Sequence, residues 1–106
     1  MHPFVAVGAP ILVEAGLVLA GRRVDPRIAL DNFLHSINAQ ILDFRVEHQA
    51  AALEAFLRFG KGRHPARLNF GDCLSYAYAS VHKLPLAYKG NDFGLTDLPH
   101  IHRLDA

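Results

Sequence analysis

Three carboxylates in this sequence are placed where they could hold a metal ion. Asp72 stands at the start of an apolar segment, residues 74–84, and Asp92 follows a shorter one, residues 86–88. Glu14 is the only charged residue within a third apolar run. Hard divalent cations prefer oxygen ligands, and α/β sheets gather functional residues at the carboxyl ends of their strands. We therefore predict that these three acids converge at one edge of a sheet.

For each of these acids there is also a simpler alternative role that involves no metal ion. Glu14 could lie on a solvent-facing stripe or pair with a buried arginine, since buried charges are often simply paired. Asp72 follows Asn69 by three residues, the spacing of a capping box, and on the residues alone the capping role is favoured. Asp92 could be a turn residue. Capping and metal binding are compatible at Asp72, because a carboxylate has two oxygens.

The elements that must position these acids follow from the hydrophobic pattern. The order of elements is strand, helix, helix, strand, helix, helix, strand, which is typical of an α/β fold with an open, mainly parallel sheet flanked by helices. The first helix is apolar on nearly every side and is predicted to be buried. In the helix that begins at Glu47, the predicted inward-facing positions are Ala51, Leu53, Phe56, Leu57 and Phe59. In the helix that follows Asn69, they are Phe70, Cys73, Leu74, Ala77, Tyr78 and Val81. The predicted strands are residues 4–7, 40–44 and 86–88, and residues 101–104 could form a last edge strand. The predicted helices are residues 10–19, 26–38 after a cap at Asp25, 47–59 and 70–83.

Composition narrows the classes of function. A chain of 106 residues that is 51% hydrophobic is predicted to form a single domain with a packed core. The net charge of +1 gives no global field for nucleic acid, although Lys61, Arg63, His64 and Arg67 form a local basic cluster. Within this cluster, we expect His64 to shape the loop and not to act as a general base. The single cysteine fits a reducing cytosol. The longest apolar run is too short to span a bilayer and has no basic leader, so we expect a cytoplasmic protein without a membrane partner.

Five short motifs lie between residues 59 and 98: Gly60-Lys61-Gly62, His64-Pro65-Ala66, Leu68-Asn69-Phe70-Gly71-Asp72-Cys73, Lys89-Gly90-Asn91-Asp92-Phe93 and Thr96-Asp97. With these motifs, residues 59–98 resemble the C-terminal half of a VapC-type PIN-domain ribonuclease, the toxin of a toxin–antitoxin pair. Upstream, residues 9–22 resemble the family's helix that bears a second acid, here Glu14. The resemblance covers nearly the whole chain from about Phe4.

This resemblance implies an endoribonuclease that depends on Mg2+ or Mn2+. A metal-activated water would attack the phosphodiester in line and leave a 5′-phosphate and a 3′-hydroxyl, and the substrate class would be structured RNA such as transfer RNA. The implied catalytic and metal-binding residues are Glu14, Asp72 and Asp92. Thr96 and Asp97 would lie around the metal ligands, while Lys61, Arg63 and Arg67 would contact RNA phosphates.

The resemblance also implies partners and one departure. The family's VapB-like antitoxin commonly lays a C-terminal segment across the acidic site. Independently, we expect a homodimer or an antitoxin complex, because so short a chain with an incomplete sheet cannot bury all of its apolar residues. The family begins with a strand that ends in an aspartate, followed by two helices, and this sequence matches the family after them. We therefore expect an N-terminally incomplete PIN-like domain that by itself cleaves RNA poorly or not at all, even with manganese. The alternative function is a catalytically impaired domain that only binds antitoxin or dimerises.

Overall fold

The computed structural model describes residues 5–84, 86–88, 92–98 and 101–103, of which residues 86–88, 92–93 and 101–103 are described by their backbone alone. The chain divides into two compact units, Met1–Phe44 and Arg45–Ala106. That the chain is a single domain stays a prediction. The elements in chain order are β1 Val5–Gly8, α1 Ala9–Gly21, α2 Pro26–Ser36, β2 Ala39–Leu42, α3 Val46–Phe59, α4 Phe70–His82, β3 Leu86–Tyr88, a 3-10 helix Asp92–Leu95, and β4 Ile101–Arg103.

The first unit is a parallel strand pair joined by two helices. β1 pairs with β2 in a register that runs from Val5 opposite Ala39 to Gly8 opposite Leu42. Parallel strands need a crossover connection, and α1 and α2 supply it. Asp25 caps α2, because its side chain accepts a hydrogen bond from the backbone N–H of Arg27 at 2.9 Å. The predicted order and the parallel pairing are confirmed in this unit.

The second unit is built on α3 packed along α4. Its core consists of buried side chains from both helices and from the loop between them, and Leu98 packs against this core from the far end of the chain. β3 and β4 form a second parallel pair, with Leu86 opposite Ile101. The α/β class with parallel strands and flanking helices is therefore confirmed. The core residues are Ala55, Phe59, Ala66, Leu68, Cys73 and Tyr76.

Several apolar side chains lie outside this core, contrary to prediction. Within α1, all of which is described, only Gly16 is buried. Leu53 and Leu57 of α3 are exposed, and Phe70 at the start of α4 is 78% exposed. Phe56 is exposed to a smaller degree. Hydrophobic spacing identifies a side of a helix that avoids water, but it does not show that the same chain covers that side. None of the described helices is long and apolar enough to cross a membrane.

A buried histidine joins the start of α3 to the end of α4. His48 is 1% exposed, and its Nδ1 accepts a hydrogen bond from the backbone N–H of Arg45 at 2.8 Å. Its Nε2 lies 2.8 Å from Nε2 of His82, and its ring centroid is 4.5 Å from that of Tyr78. Since Nδ1 is an acceptor, the neutral ring carries its proton on Nε2 and donates it to His82. A second proton on His48 would break the bond that caps α3.

We therefore predict that acid destabilises the second unit through His48. Burial and then the nearby His82 lower the pKa of His48 below 6.5, and Arg45 acts in the same direction, whereas Glu47 opposes it. A lowered pKa means that the unfolded chain binds the proton more readily. The stabilisation is therefore complete above pH 6.5 and is lost as the pH falls toward the folded pKa.

Urea unfolding at a series of pH values between 7.5 and 5 measures this effect. The loss of stability below pH 6.5 should be smaller in His48→Gln, which cannot titrate, and unchanged in His35→Gln, whose ring is exposed on α2. Equal acid sensitivity in the parent chain and in His48→Gln would contradict the prediction.

Candidate functional site

Asp72 occupies the first turn of α4 and is held there by a reciprocal pair of hydrogen bonds. Its Oδ2 accepts from the backbone N–H of Asn69 at 3.0 Å, and its own backbone N–H donates to Asn69 Oδ1 at 2.9 Å. This is the capping box predicted from the three-residue spacing. The bond to Asn69 fixes the orientation of the carboxylate, and the side chain is half-buried. Asp72 is thus an oriented anionic oxygen donor at a helix N-terminus.

The basic loop before α4 is ordered by its backbone and presents its charges outward. Lys61 N–H donates to Leu68 O at 2.9 Å, and Gly62 turns the chain with a φ of 86°, a region that glycine enters without steric cost. His64 Nδ1 accepts from Ala66 N–H at 3.0 Å, so this ring shapes the loop as predicted. The exposed cations are Lys61, Arg63 and Arg67.

Asp92 and Thr96 lie on the segment that follows β3. Asp92 is the first residue of the 3-10 helix, and its side chain is outside what the structure describes. Thr96 follows this helix and is half-buried. Its Oγ1 accepts from Leu98 N–H at 3.4 Å, so the hydroxyl helps to shape the segment. Asp92 therefore follows a strand in the chain, as predicted. Its convergence with the other acids and its role as a metal ligand stay predictions.

Asp97 is held by two side chains that sequence reasoning did not select. Tyr76 Oη donates to Asp97 Oδ1, and Arg58 Nη1 lies 2.9 Å from Asp97 Oδ2. Burial raises the pKa of Asp97, but the bonds from Tyr76 and Arg58 outweigh it and hold that pKa below its usual value. Burial and the bond to Asp97 raise the pKa of Tyr76. Asp97 is therefore a carboxylate whose charge is compensated by an arginine.

Glu14 lies on α1 in the first unit and is exposed to solvent. Its neighbours one turn further on, Leu17 and Val18, are also exposed, as is Val13. The alternative in which Glu14 lies on a solvent-facing stripe of α1 therefore fits the structure better than the prediction that the helix is buried. Whether Glu14 approaches Asp72 stays a prediction, since the two residues belong to different units.

The chemistry of these donors fits a divalent cation. Glu14, Asp72 and Asp92 would offer carboxylate oxygens alone, which is the ligand type that Mg2+ and Mn2+ prefer. Among the residues whose side chains the structure describes, no group of three or more His, Cys, Asp or Glu could hold a metal ion. A complete ligand set would need Asp92 or Glu14 beside Asp72, so these three residues are predicted ligands.

Cys73, the residue after Asp72, does not offer a second kind of chemistry. Its thiol is buried, and burial and then the charge of Asp72 raise its pKa. A raised pKa leaves little thiolate, which is the reactive form. The cysteine is a core residue, as its position in an apolar helix predicted.

Comparison with known proteins matches residues 4–98 to the PIN domain. The chain is 44% identical over 93 residues to VapC ribonuclease Mb2004c of Mycobacterium bovis, and equally to ribonuclease VapC36 of Mycobacterium tuberculosis; each alignment covers 87% of this chain and 67% of the relative. It is 41% identical over 91 residues to ribonuclease VapC of Mycolicibacterium smegmatis, covering 85% of this chain and 70% of the relative. The chain thus spans about two thirds of the length of these relatives.

Proposed function

The chain belongs to the VapC-type PIN-domain family, and on that premise we propose that it is the ribonuclease toxin of a toxin–antitoxin pair. The observation that carries this proposal is the family match over residues 4–98, which includes the acids and the basic loop. The reaction is the hydrolysis of RNA phosphodiesters. The reducing cytosol is the compartment that suits a chain whose only cysteine is a buried thiol.

Asp72, Asp92 and Glu14 are the proposed ligands of Mg2+ or Mn2+. A bound ion of this kind lowers the pKa of a water molecule and neutralises charge that develops on a phosphate. The contribution of the chain is to hold its carboxylates in place. Asp72 is supported in this role by Asn69, whose backbone N–H fixes the Oδ2 atom, because an oriented ligand loses little conformational freedom when the ion binds.

The basic loop is the proposed site for the RNA backbone. Lys61, Arg63 and Arg67 are exposed in the loop that leads directly into α4, and the Arg63 guanidinium lies 5.6 Å from the centre of the Phe56 ring. Cations in such a loop bind phosphates by charge and carry little sequence information. We therefore expect binding that weakens as salt increases, with structured RNA such as transfer RNA as the proposed substrate class.

Cleavage of a transfer RNA pool under single-turnover conditions tests the proposed function. The chain is incubated with Mg2+ or Mn2+, and a chelator is added to a parallel reaction. We expect cleavage that depends on the ion and stops with the chelator. Cleavage of the same rate in the presence of chelator would contradict the proposed metal dependence.

The proposed protein partners are a VapB-like antitoxin and a second copy of the chain. The exposed apolar side of α3 supports the homodimer. Val46, Leu53 and Leu57 are all exposed there, and with Ala50 they are spaced four, three and four residues apart. This is the spacing of a helix–helix seam, and a two-fold interface brings the same surface of both copies together.

Replacing Leu57 by aspartate is expected to convert the dimer to monomer at micromolar concentrations. An unpaired carboxylate in a closed apolar interface costs several kcal/mol, which is enough to raise the dissociation constant more than about 100-fold. Sedimentation velocity measures the change. Leu95→Asp, which is exposed outside α3, should leave the dimer intact. A parent chain that sediments as a monomer would contradict the dimer itself.

A further inference from the structure

We propose that Tyr76 and Arg58 are positioning residues for the metal centre: by holding the carboxylate of Asp97, they fasten the segment that begins at Asp92 onto the side of α4 that carries Asp72. We call Arg58, Tyr76 and Asp97 the clasp. This inference rests on the proposed function, because it assigns the clasp a purpose in metal binding.

The clasp ties three separate parts of the second unit together. Arg58 comes from the last turn of α3, Tyr76 from the middle of α4, and Asp97 from the segment after the 3-10 helix. Each oxygen of Asp97 has its own partner, Oδ1 receiving the Tyr76 hydroxyl and Oδ2 the Arg58 guanidinium at 2.9 Å. Leu98, the next residue, packs against the core. The end of this segment is therefore fixed by two polar bonds and one apolar contact.

The partners of Asp97 are themselves held in place. Tyr76 is buried, and its ring centroid lies 5.8 Å from that of Phe59. The guanidinium of Arg58 lies 4.7 Å from the centre of the same Phe59 ring, and its Nη1 is 4.0 Å from Glu54 Oε1. Side chains that packing has already ordered lose little entropy when they bind. The clasp thus joins one buried tyrosine to an ion pair whose two side chains are each about half exposed.

The position of Tyr76 on α4 connects the clasp with the proposed metal site at Asp72. Tyr76 lies four residues after Asp72, and residues with this spacing are neighbours on one side of a helix, with Cβ atoms about 5–6 Å apart. Asp97 is therefore anchored one helical turn from Asp72. Only five residue steps join Asp92 to Asp97, and the 3-10 helix takes up three of them. At about 2 Å per residue within that helix and about 3.5 Å per residue beyond it, the backbone of Asp92 cannot lie more than about 13 Å from that of Asp97.

Asp97 does not serve as a metal ligand in this arrangement. Both of its oxygens already accept hydrogen bonds, one of them from a cation. A divalent ion on Asp97 would have to displace Arg58 or lie next to its positive charge. The carboxylate acts through the segment that it holds, as groups outside the ligand shell do when they orient the ligands themselves.

The affinity of the folded chain for Mn2+, measured from the electron paramagnetic resonance signal of the free ion, tests the clasp. Tyr76→Phe removes only the hydroxyl and keeps the ring against Phe59. We expect it to weaken Mn2+ binding by about 10-fold, within the range seen when a group that orients metal ligands is lost. Tyr78→Phe is the matched control, because Tyr78 is also buried in α4 but packs on His48. Its affinity for Mn2+ should equal that of the parent chain.

Two further variants separate positioning from general stability. Asp97→Ala removes both bonds of the clasp and should weaken Mn2+ binding at least as much as Tyr76→Phe. The double variant should bind no more weakly than Asp97→Ala, because residues that act through one contact are not additive. Should Tyr76→Phe fail to fold, Arg58→Gln removes the other donor from a partly exposed position, and we expect the same loss of affinity.

The outcomes distinguish this inference from the proposed function. If the parent chain and Tyr76→Phe bind Mn2+ equally well, the clasp is only structural and the inference is wrong, while the proposed function stands. Additive losses in the double variant would also overturn the inference. If the parent chain binds no Mn2+ at all, the proposed metal-dependent function fails and the inference fails with it.

Discussion

Replacing Asp72 by asparagine is expected to abolish metal-dependent RNA cleavage while the fold persists. Losing a residue that only orients a metal ligand typically costs about 10–100-fold in affinity or activity. Asp72 is a proposed ligand in its own right, so we expect a loss of more than about 100-fold. The physical cause is charge, because the affinity of a hard cation depends on the number of anionic oxygens that surround it.

The local structure explains why this change should spare the fold. In the capping box, Asp72 Oδ2 accepts from Asn69 N–H, and the carbonyl oxygen of an asparagine can accept the same bond. The bond from the backbone of residue 72 to the Asn69 side chain does not involve the substituted group. What is lost is a negative charge near the positive end of the α4 dipole, worth about 0.3–1 kcal/mol at an exposed site and up to about 2 kcal/mol at a partly buried one.

Cleavage of a transfer RNA pool, Mn2+ affinity and urea unfolding should be measured together, so that a slow basal rate does not hide the result. Asp31→Asn is the matched control, since it removes the same charge from an exposed position on α2. It should leave both cleavage and Mn2+ affinity unchanged. If Asp72→Asn cleaves as fast as the parent chain, Asp72 is only a helix cap. If the parent chain cleaves no RNA with any divalent ion, the alternative function is favoured, namely a domain that only binds antitoxin or dimerises.

Features set by neighbouring residues could be predicted from the sequence. The caps of α2 and α4 were predicted from Asp25 and Asn69, because a side chain and the first turn of its own helix are only two or three residues apart. The parallel strands followed from the alternation of strands with helices. The same locality explains why His64 was correctly assigned a role in shaping its loop.

Pairs that are distant in sequence could not be predicted in this way. Tyr76 and Asp97 are 21 residues apart and are joined by a hydrogen bond, but nothing in either local sequence selects the other. The spacing between Asp72 and Tyr76 would have shown that both lie on one side of α4. It could not have shown which residue of the later segment meets that side. The convergence of Glu14, Asp72 and Asp92 at one edge of a sheet also depends on contacts that are distant in sequence. It therefore stays a prediction.

Burial was the least predictable property, and two phenylalanines in the second unit show why. Phe59 and Phe70 have the same side chain, and both were assigned to the core. Phe59 is 7% exposed, whereas Phe70 is 78% exposed. The pattern of apolar residues shows which side of a helix favours burial. Whether that side is buried depends on which other elements cover it.

Substituting alanine at these two positions should therefore give opposite results. Phe59→Ala is expected to lower the free energy of unfolding by about 3–5 kcal/mol, the usual cost of removing a buried aromatic ring. Phe70→Ala should change it by no more than about 0.5 kcal/mol, as for other exposed positions. Urea unfolding of the two variants beside the parent chain measures both values, and equal losses would show that Phe70 is covered in solution.

Removing the Phe59 ring should do more than leave a cavity, because the ring also contacts side chains of the basic loop and of the clasp. Its ring meets His64 of the basic loop edge-on, with centroids 5.0 Å apart, and it also lies against Tyr76 and the guanidinium of Arg58. One buried side chain thus supports the loop proposed to bind phosphate and both donors of the clasp. Phe59→Ala should consequently weaken Mn2+ binding even under conditions where the variant is fully folded, whereas Phe70→Ala should not. A fully folded Phe59→Ala variant with the parent's affinity would mean that the core sets stability alone and leaves the proposed site untouched.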